Sequence, residues 1–192
     1  GVRADPSVKW GMNVMGSTRY DNNVLIDGMD TSDPRLLAPA FSAVSFEAID
    51  EVTVHTAGFE AEYGRATGGV VNLITKSGGN RFHGSFDYRY GGSNFQSRGD
   101  HWDPDEQPTE SSDLNASLGG PILHDRLWFF TALQNFQHDL TPTGAPSTEQ
   151  TSEQNYLAKL TWQASAGWSL VGKVMSNPER IDYRYSDPFT AP

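Results

Sequence analysis

The side chains able to do chemistry in this chain are scattered rather than assembled. His55, His83, His101, His124 and His138 lie far apart, and none falls in an HExxH or similar ligand spacing. Each reads as an ordinary strand or loop residue. No Gly-x-Ser-x-Gly elbow occurs, so a nucleophilic serine of the α/β-hydrolase type is unsupported. Gly64-Arg65-Ala66-Thr67-Gly68-Gly69 is glycine-rich but lacks the Gly-Lys-Ser/Thr that cradles a phosphate. Asp100, Asp103, Asp105 and Glu106 could offer oxygen ligands to a hard cation such as Ca²⁺. Their spacing lacks the glycine and terminal glutamate of an EF-hand loop, so a solvated acidic loop is the expectation. The chain reads as a non-enzyme without cofactor or metal.

Composition narrows the partners. Among 192 residues, 14 Lys and Arg stand against 24 Asp and Glu, a net charge of −10 with no basic cluster. Nucleic-acid binding favours the opposite, a basic patch that neutralises phosphates. There is no cysteine, so disulfides and thiolate chemistry are both excluded. No run approaches the ~18 apolar residues of a membrane helix. A membrane β-barrel stays open, because only every second strand residue must face lipid. The first residues, GVRADPSV, carry no signal-peptide features. The expectation is a mature start or a piece of a longer protein.

The elements that must position any site change character near Asn80. Before it the chain reads as a compact mixed α/β unit. Asn23 to Ile26 is a short strand, closed by the Asp27-Gly28 turn signal. The stretch from Thr31 to Pro39 is expected to be irregular. Ser45 is placed to cap a helical turn over Phe46–Ile49. Glu51–Thr56 alternates and is β-branched, a strand pattern. Val70 to Lys76, with its apolar run Val70, Val71, Leu73 and Ile74, reads as a strand covered on both faces.

After Asn80, long alternating strands follow. In Arg81–Tyr90 the rings of Phe82, Phe86, Tyr88 and Tyr90 share one face. His83, Ser85, Asp87 and Arg89 share the other, as suits a wall between lipid and water. Further strands are expected at Asp113–Leu123, Arg126–Gln137, Asn155–Gln163 and Trp168–Met175. Long connections at 91–112 and 138–154 alternate with tight turns at His124-Asp125 and Ala164–Gly167. That alternation favours an outer-membrane barrel over a soluble β-sandwich, which periodicity alone would allow. Asn115-Ala116-Ser117 spells a glycosylation sequon on a predicted membrane strand, where it would be inaccessible.

Two segments carry a family resemblance. VLIDGMD at Val24–Asp30, followed by IDEVTVHTAGFEAEYGRATGGVVNLITKSGGN at Ile49–Asn80, resembles the plug domain of TonB-dependent outer-membrane receptors. Asp27, Gly28, Tyr63, Gly64, Gly68, Gly69, Val70, Asn72, Thr75 and Lys76 match that pattern. SLGGPILHDRLWFF at Ser117–Phe130 is similar to early barrel strands of the family's Oar-like branch. Siderophore receptors show an Ile-Arg-Gly motif where this chain has Met15-Gly16-Ser17-Thr18-Arg19. The small residues usual before Tyr63-Gly64 are Glu60-Ala61-Glu62 here. Both departures point away from siderophore receptors and toward the Oar-like branch.

The resemblance implies a fold, a place and partners. Residues 1–79 would be the later plug and 80–192 the first five or so strands of a transmembrane barrel, with extracellular loops 91–112 and 138–154. Plugged transporters of this kind close with about 22 strands, so this would be a fragment. The location would be the bacterial outer membrane. TonB, contacted through a box absent from this chain, and an extracellular ligand would be the partners beside lipid. Energised uptake or secretion would be the function, with receptor-mediated adhesion a further use. Gly64, Gly68 and Gly69 would allow close backbone packing; Arg65, Glu60 and Glu62 would form ion pairs within the plug or with lumen-facing residues, the alternative being a solvated surface cluster. The competing reading is a soluble β-rich adhesion or carbohydrate-binding module with the aromatic rings in its core.

Overall fold

The computed structural model describes residues 2–5, 11–14, 16, 21–33, 38–39, 44–56, 68–92, 110–140 and 147–185. Strands β1 (Val2–Asp5) and β2 (Gly11–Val14) pair antiparallel. Strand β3 (Asn22–Ile26) turns at Asp27-Gly28 into β4 (Met29–Asp30). The stretch expected to be irregular holds a small ladder between β5 (Ser32–Asp33) and β6 (Ala38–Pro39). A 3₁₀ turn, Phe46–Ala48, leads into β7 (Ile49–His55), and β8 spans Gly69–Thr75. The sheet order is β4-β3-β8-β7, with β3 and β8 parallel. As the apolar run requires, β8 is a central strand, and Val70, Val71 and Leu73 are buried.

The chain then enters a meander of β9 (His83–Gly91), β10 (Glu110–Leu123), β11 (Leu127–Leu140), β12 (Ser147–Ser165) and β13 (Trp168–Ser176). A last segment, β14 (Glu179–Tyr185), also pairs with β12, at its opposite end. Its register continues that of β13: Tyr156 faces Ser176 and Glu153 faces Glu179. Strands β13 and β14 are thus one strand interrupted at Pro178, which has no N–H to give the ladder. Pro178 still accepts from Gln154 N at 3.0 Å.

Alternation decides what each face of this wall meets. Phe86, Tyr88, Leu160 and Trp162 are 75, 59, 44 and 48% exposed. A soluble module that buries its rings is therefore excluded; the aromatic residues form an outward row. The inward face carries Phe130, Ala132 and Leu157, all buried and packed with Val24, Ile26, Val71 and Leu73 of the smaller sheet. Burying a side chain such as Phe130 contributes about 1.5–3 kcal/mol. The small sheet therefore sits on the inner side of the wall.

The long connections are shorter than the sequence suggests. Strand β10 begins at Glu110, β11 runs to Leu140 and β12 begins at Ser147, so 138–140 and 147–154 are strand, not loop. At ~3.3 Å per residue the 19 residues of β12 reach about 60 Å, beyond a hydrocarbon layer of ~30 Å. A strand of that length is longer than such a layer requires, and the part in excess is free to be polar on both faces. The last tight turn also narrows to Ala166-Gly167, with a register shift between Gln163 and Ser165.

Candidate functional site

The site is the junction where the small sheet meets the wall. Its centre is the β3–β4 hairpin. Asp27 and Gly28 have φ of 51° and 78°, the left-handed pair that a two-residue turn needs and that Asp-Gly tolerates. The hairpin is tied to β8 by Asp27 N donating to Leu73 O at 2.8 Å and Gly28 N to Asn72 Oδ1 at 3.0 Å. The Asp27 carboxylate then accepts from Thr75 N at 2.8 Å and from Thr75 Oγ1 at 2.7 Å.

Two lysines of the wall meet this carboxylate. Lys173 Nζ lies 2.9 Å from Asp27 Oδ2 and also donates to Ile26 O at 3.2 Å. Lys159 Nζ lies 3.8 Å from the same oxygen and donates to Thr75 O and Thr75 Oγ1, each at 3.1 Å. Both lysine side chains are under a tenth exposed, at 9% and 8%. Burial pushes the Asp27 carboxyl up, but the hydrogen bonds from Thr75 and Lys173, with the charge of Lys159, hold it below its ordinary value. The carboxylate therefore stays ionised at neutral pH.

A second set of contacts lies beside β9 and β10. Ser45 accepts from Glu47 N at 3.1 Å, capping the 3₁₀ turn as expected, and donates to Asn115 Oδ1 at 3.0 Å. Ser85 of β9 donates to Glu47 Oε2 at 3.1 Å and lies 2.8 Å from Ser117 of β10. Lys76 reaches back to Glu47 O at 2.9 Å. Further along the inner face, Gln134 donates to Asp113 at 2.9 Å and Asn155 to Gln134 at 2.9 Å. A polar ladder thus continues along the inner face.

Of the residues singled out by sequence, Asp27, Gly28 and Asn72 come together in this junction. Gly68 N donates to Asp21 O at 2.9 Å and Gly69 pairs with Asn22. Glu60, Glu62, Tyr63, Gly64 and Arg65 lie outside the described residues, as do His101 and the acidic positions Asp100, Asp103, Asp105 and Glu106. His83 stacks on Phe130 with ring centroids 6.2 Å apart, and His138 on Phe136 at 6.0 Å. Among the described residues no cluster of acidic and histidine side chains could hold a metal. The sequence Asn115-Ala116-Ser117 places Asn115 on the inner face, buried against Ser45.

Sequence reasoning missed Lys159, Lys173 and the close approach at Gly78. A Cβ on Gly78 would meet the Phe129 carbonyl oxygen and lie 2.8 Å from its carbon. This is where the chain crosses from the sheet to the wall. Its glycine-rich sequence, Ser77-Gly78-Gly79-Asn80, was the available signal.

Two family models match: TonB-dependent Receptor Plug Domain over residues 3–70 and Outer membrane beta barrel domain over 74–156. The TonB-dependent transporter Oar of Myxococcus xanthus is 38% identical over 143 residues, 69% of this chain and 13% of that protein. The siderophore receptor PirA from Acinetobacter baumannii superposes with a TM-score of 0.70 at 22% identity, covering 91% of this chain and 26% of that one. A ferric enterobactin receptor mutant, PfeA from Pseudomonas aeruginosa, gives 0.65 at 19% identity, covering 90% and 27%. At such identities the structures speak for the fold. The chain spans well under half the length of these relatives, all of them transporters or receptors. With plug and barrel matches in order along one chain, it belongs to the TonB-dependent receptors of the bacterial outer membrane, of which it carries plug and early barrel strands.

Proposed function

We propose that the protein containing this chain is an energised outer-membrane transporter, not an enzyme, that moves a ligand by shifting the plug. The carrying observation is the junction itself. A small sheet is held to the inner face of a lipid-facing wall by polar bonds and two ammonium groups rather than by apolar packing alone. Such bonds are replaceable by water, so a pull can release them without unfolding the wall.

In this reading residues 1–79 are the later plug and 80–192 the first five strands. The connections within 91–112 and 138–154 lie outside the cell, and the turns at His124–Arg126 and Ala166-Gly167 face the periplasm. Asp27 joins plug to wall, Gly28 and Asn72 hold its turn against β8, and Glu60, Glu62, Tyr63, Gly64, Arg65, Gly68 and Gly69 shape the plug. TonB acts through a box outside this chain, and the ligand binds at the extracellular side. Kinship with Oar at 38% identity supports the transporter reading more directly than the fold-level likeness to siderophore receptors does.

The test is a comparison of cells with and without TonB. Surface proteome and uptake of labelled solutes are compared between cells carrying the full receptor and cells lacking it. A solute or exported protein whose passage requires both the receptor and TonB is the expected result. Passage indifferent to TonB would overturn the reading.

A further inference from the structure

Lys159 and Lys173 are cross-strand partners, directly opposite on β12 and β13. Like charges in that relation repel, and burial adds a desolvation cost that an opposite charge must offset. Among the described residues both lysines form ion pairs with Asp27 alone. Two ammonium groups thus face one carboxylate, leaving one positive charge in excess. The carboxylate belongs to the plug and the ammonium groups to the wall. Neighbouring acceptors, Ile26 O, Thr75 O and Thr75 Oγ1, are also plug atoms. When the hairpin moves away, the wall keeps both charges and loses the carboxylate and Ile26 O, and Thr75 of β8 offers no opposing charge.

We propose that the Lys159–Lys173 pair is an anion-binding site on the inner wall, filled by Asp27 while the plug is seated and open to a small carboxylate or phosphate group once the β3–β4 hairpin leaves. The second half rests on the transport reading; the first half does not. Cargo of this receptor would accordingly bear an anionic group, which the pair would meet on the path that the hairpin vacates. The arrangement also opposes reseating of the plug until that anion has gone.

The full-length receptor in detergent, carrying Asp27→Gly, tests the site without any transport assay. Glycine suits the positive φ at this position, so the turn survives while the carboxylate is lost. The thermal midpoint should fall in chloride. It should recover in formate or inorganic phosphate at equal ionic strength, as the free anion takes the vacated place. Recovery in formate alone assigns a carboxylate site, and in phosphate alone a phosphate site. Adding Lys173→Met should abolish the recovery. If Asp27→Gly does not fold in chloride, folding yield with and without each anion becomes the readout. No recovery in either anion, or recovery that persists without Lys173, would overturn the site. Because the readout is stability, failure here would leave TonB-dependent passage standing, and failure of that passage would leave the site standing.

Discussion

Ser45 Oγ donates to Asn115 Oδ1 at 3.0 Å while both residues are buried, 70 positions apart in the chain. The same hydroxyl accepts from Glu47 N and so caps the 3₁₀ turn. One oxygen therefore fixes a local element and fastens it to the wall. Removing it by Ser45→Ala loses a cap, about 1 kcal/mol, and strands a buried amide, about 1–3 kcal/mol. Urea unfolding of the receptor should show a loss within that range for the plug transition. An unchanged transition would mean that the plug is not held here.

Gly78 and Gly79 make a controlled pair. A Cβ on Gly78 runs into the Phe129 backbone, which cannot swing aside, whereas one on Gly79 meets nothing within 4 Å. Gly78→Ala should destabilise by about 1–3 kcal/mol through overpacking, and Gly79→Ala should stay within about 0.5 kcal/mol of wild type. Thermal midpoints of the two variants, measured side by side, check this. Equal effects would remove the close crossing as the reason for glycine.

Much of this architecture was legible before any coordinates. Period-two alternation identified the outward rings of β9, the Asp27-Gly28 signal gave its turn, and Ser45 gave its cap. All three are local patterns, readable within a few residues. The strand over Ser147–Gln154 was not legible, because beyond the lipid a strand gains nothing from apolar residues on either face. Its polar sequence looked like a loop. The lysines at the junction were hidden for another reason: Lys173 and Asp27 are 146 positions apart. No window of sequence contains both, and a lysine on an inward strand face is ordinarily a solvated charge.

Acid should loosen the junction only late. The folded Asp27 carboxyl lies below its unfolded value of 3.8. A depressed carboxyl stabilises fully above the unfolded pKa, and that stability is lost as pH falls through the lower folded one. The charged groups facing it are Lys159 and Lys173. Plug stability from this source should therefore be flat from neutrality down to about pH 4 and decline below it. Asp27→Asn should lower the plateau and flatten the acid decline. Unfolding midpoints at a series of pH values check both. An Asp27→Asn curve parallel to wild type would show that another group sets the acid limb.

Asn80 ties the start of the wall to its first tight turn. Its side-chain oxygen accepts from Asp125 N at 2.9 Å and from Trp128 Nε1 at 2.7 Å, while Asp125 holds a positive φ of 61°. Asn80→Ala should cost about 1–3 kcal/mol for the two exposed bonds. Trp128 fluorescence should change as its indole N–H turns to water. A spectrum identical to wild type would mean that the indole never depended on Asn80.

The last prediction concerns which way the wall runs through the membrane. Plug and wall meet near the start of β9, and the short turn at His124–Arg126 lies at that same end, bonded to Asn80. The other ends of β9 and β10 are joined by the long connection within 91–112, acidic and rich in serine. Translocated loops of outer-membrane barrels are the long ones, and their periplasmic turns are short. Protease added to intact cells should therefore cut within Gly91–Ser112 and spare the His124–Arg126 turn. Cleavage at Gly91–Ser112 only after lysis would reverse the topology, and with it the side from which a ligand first reaches the plug.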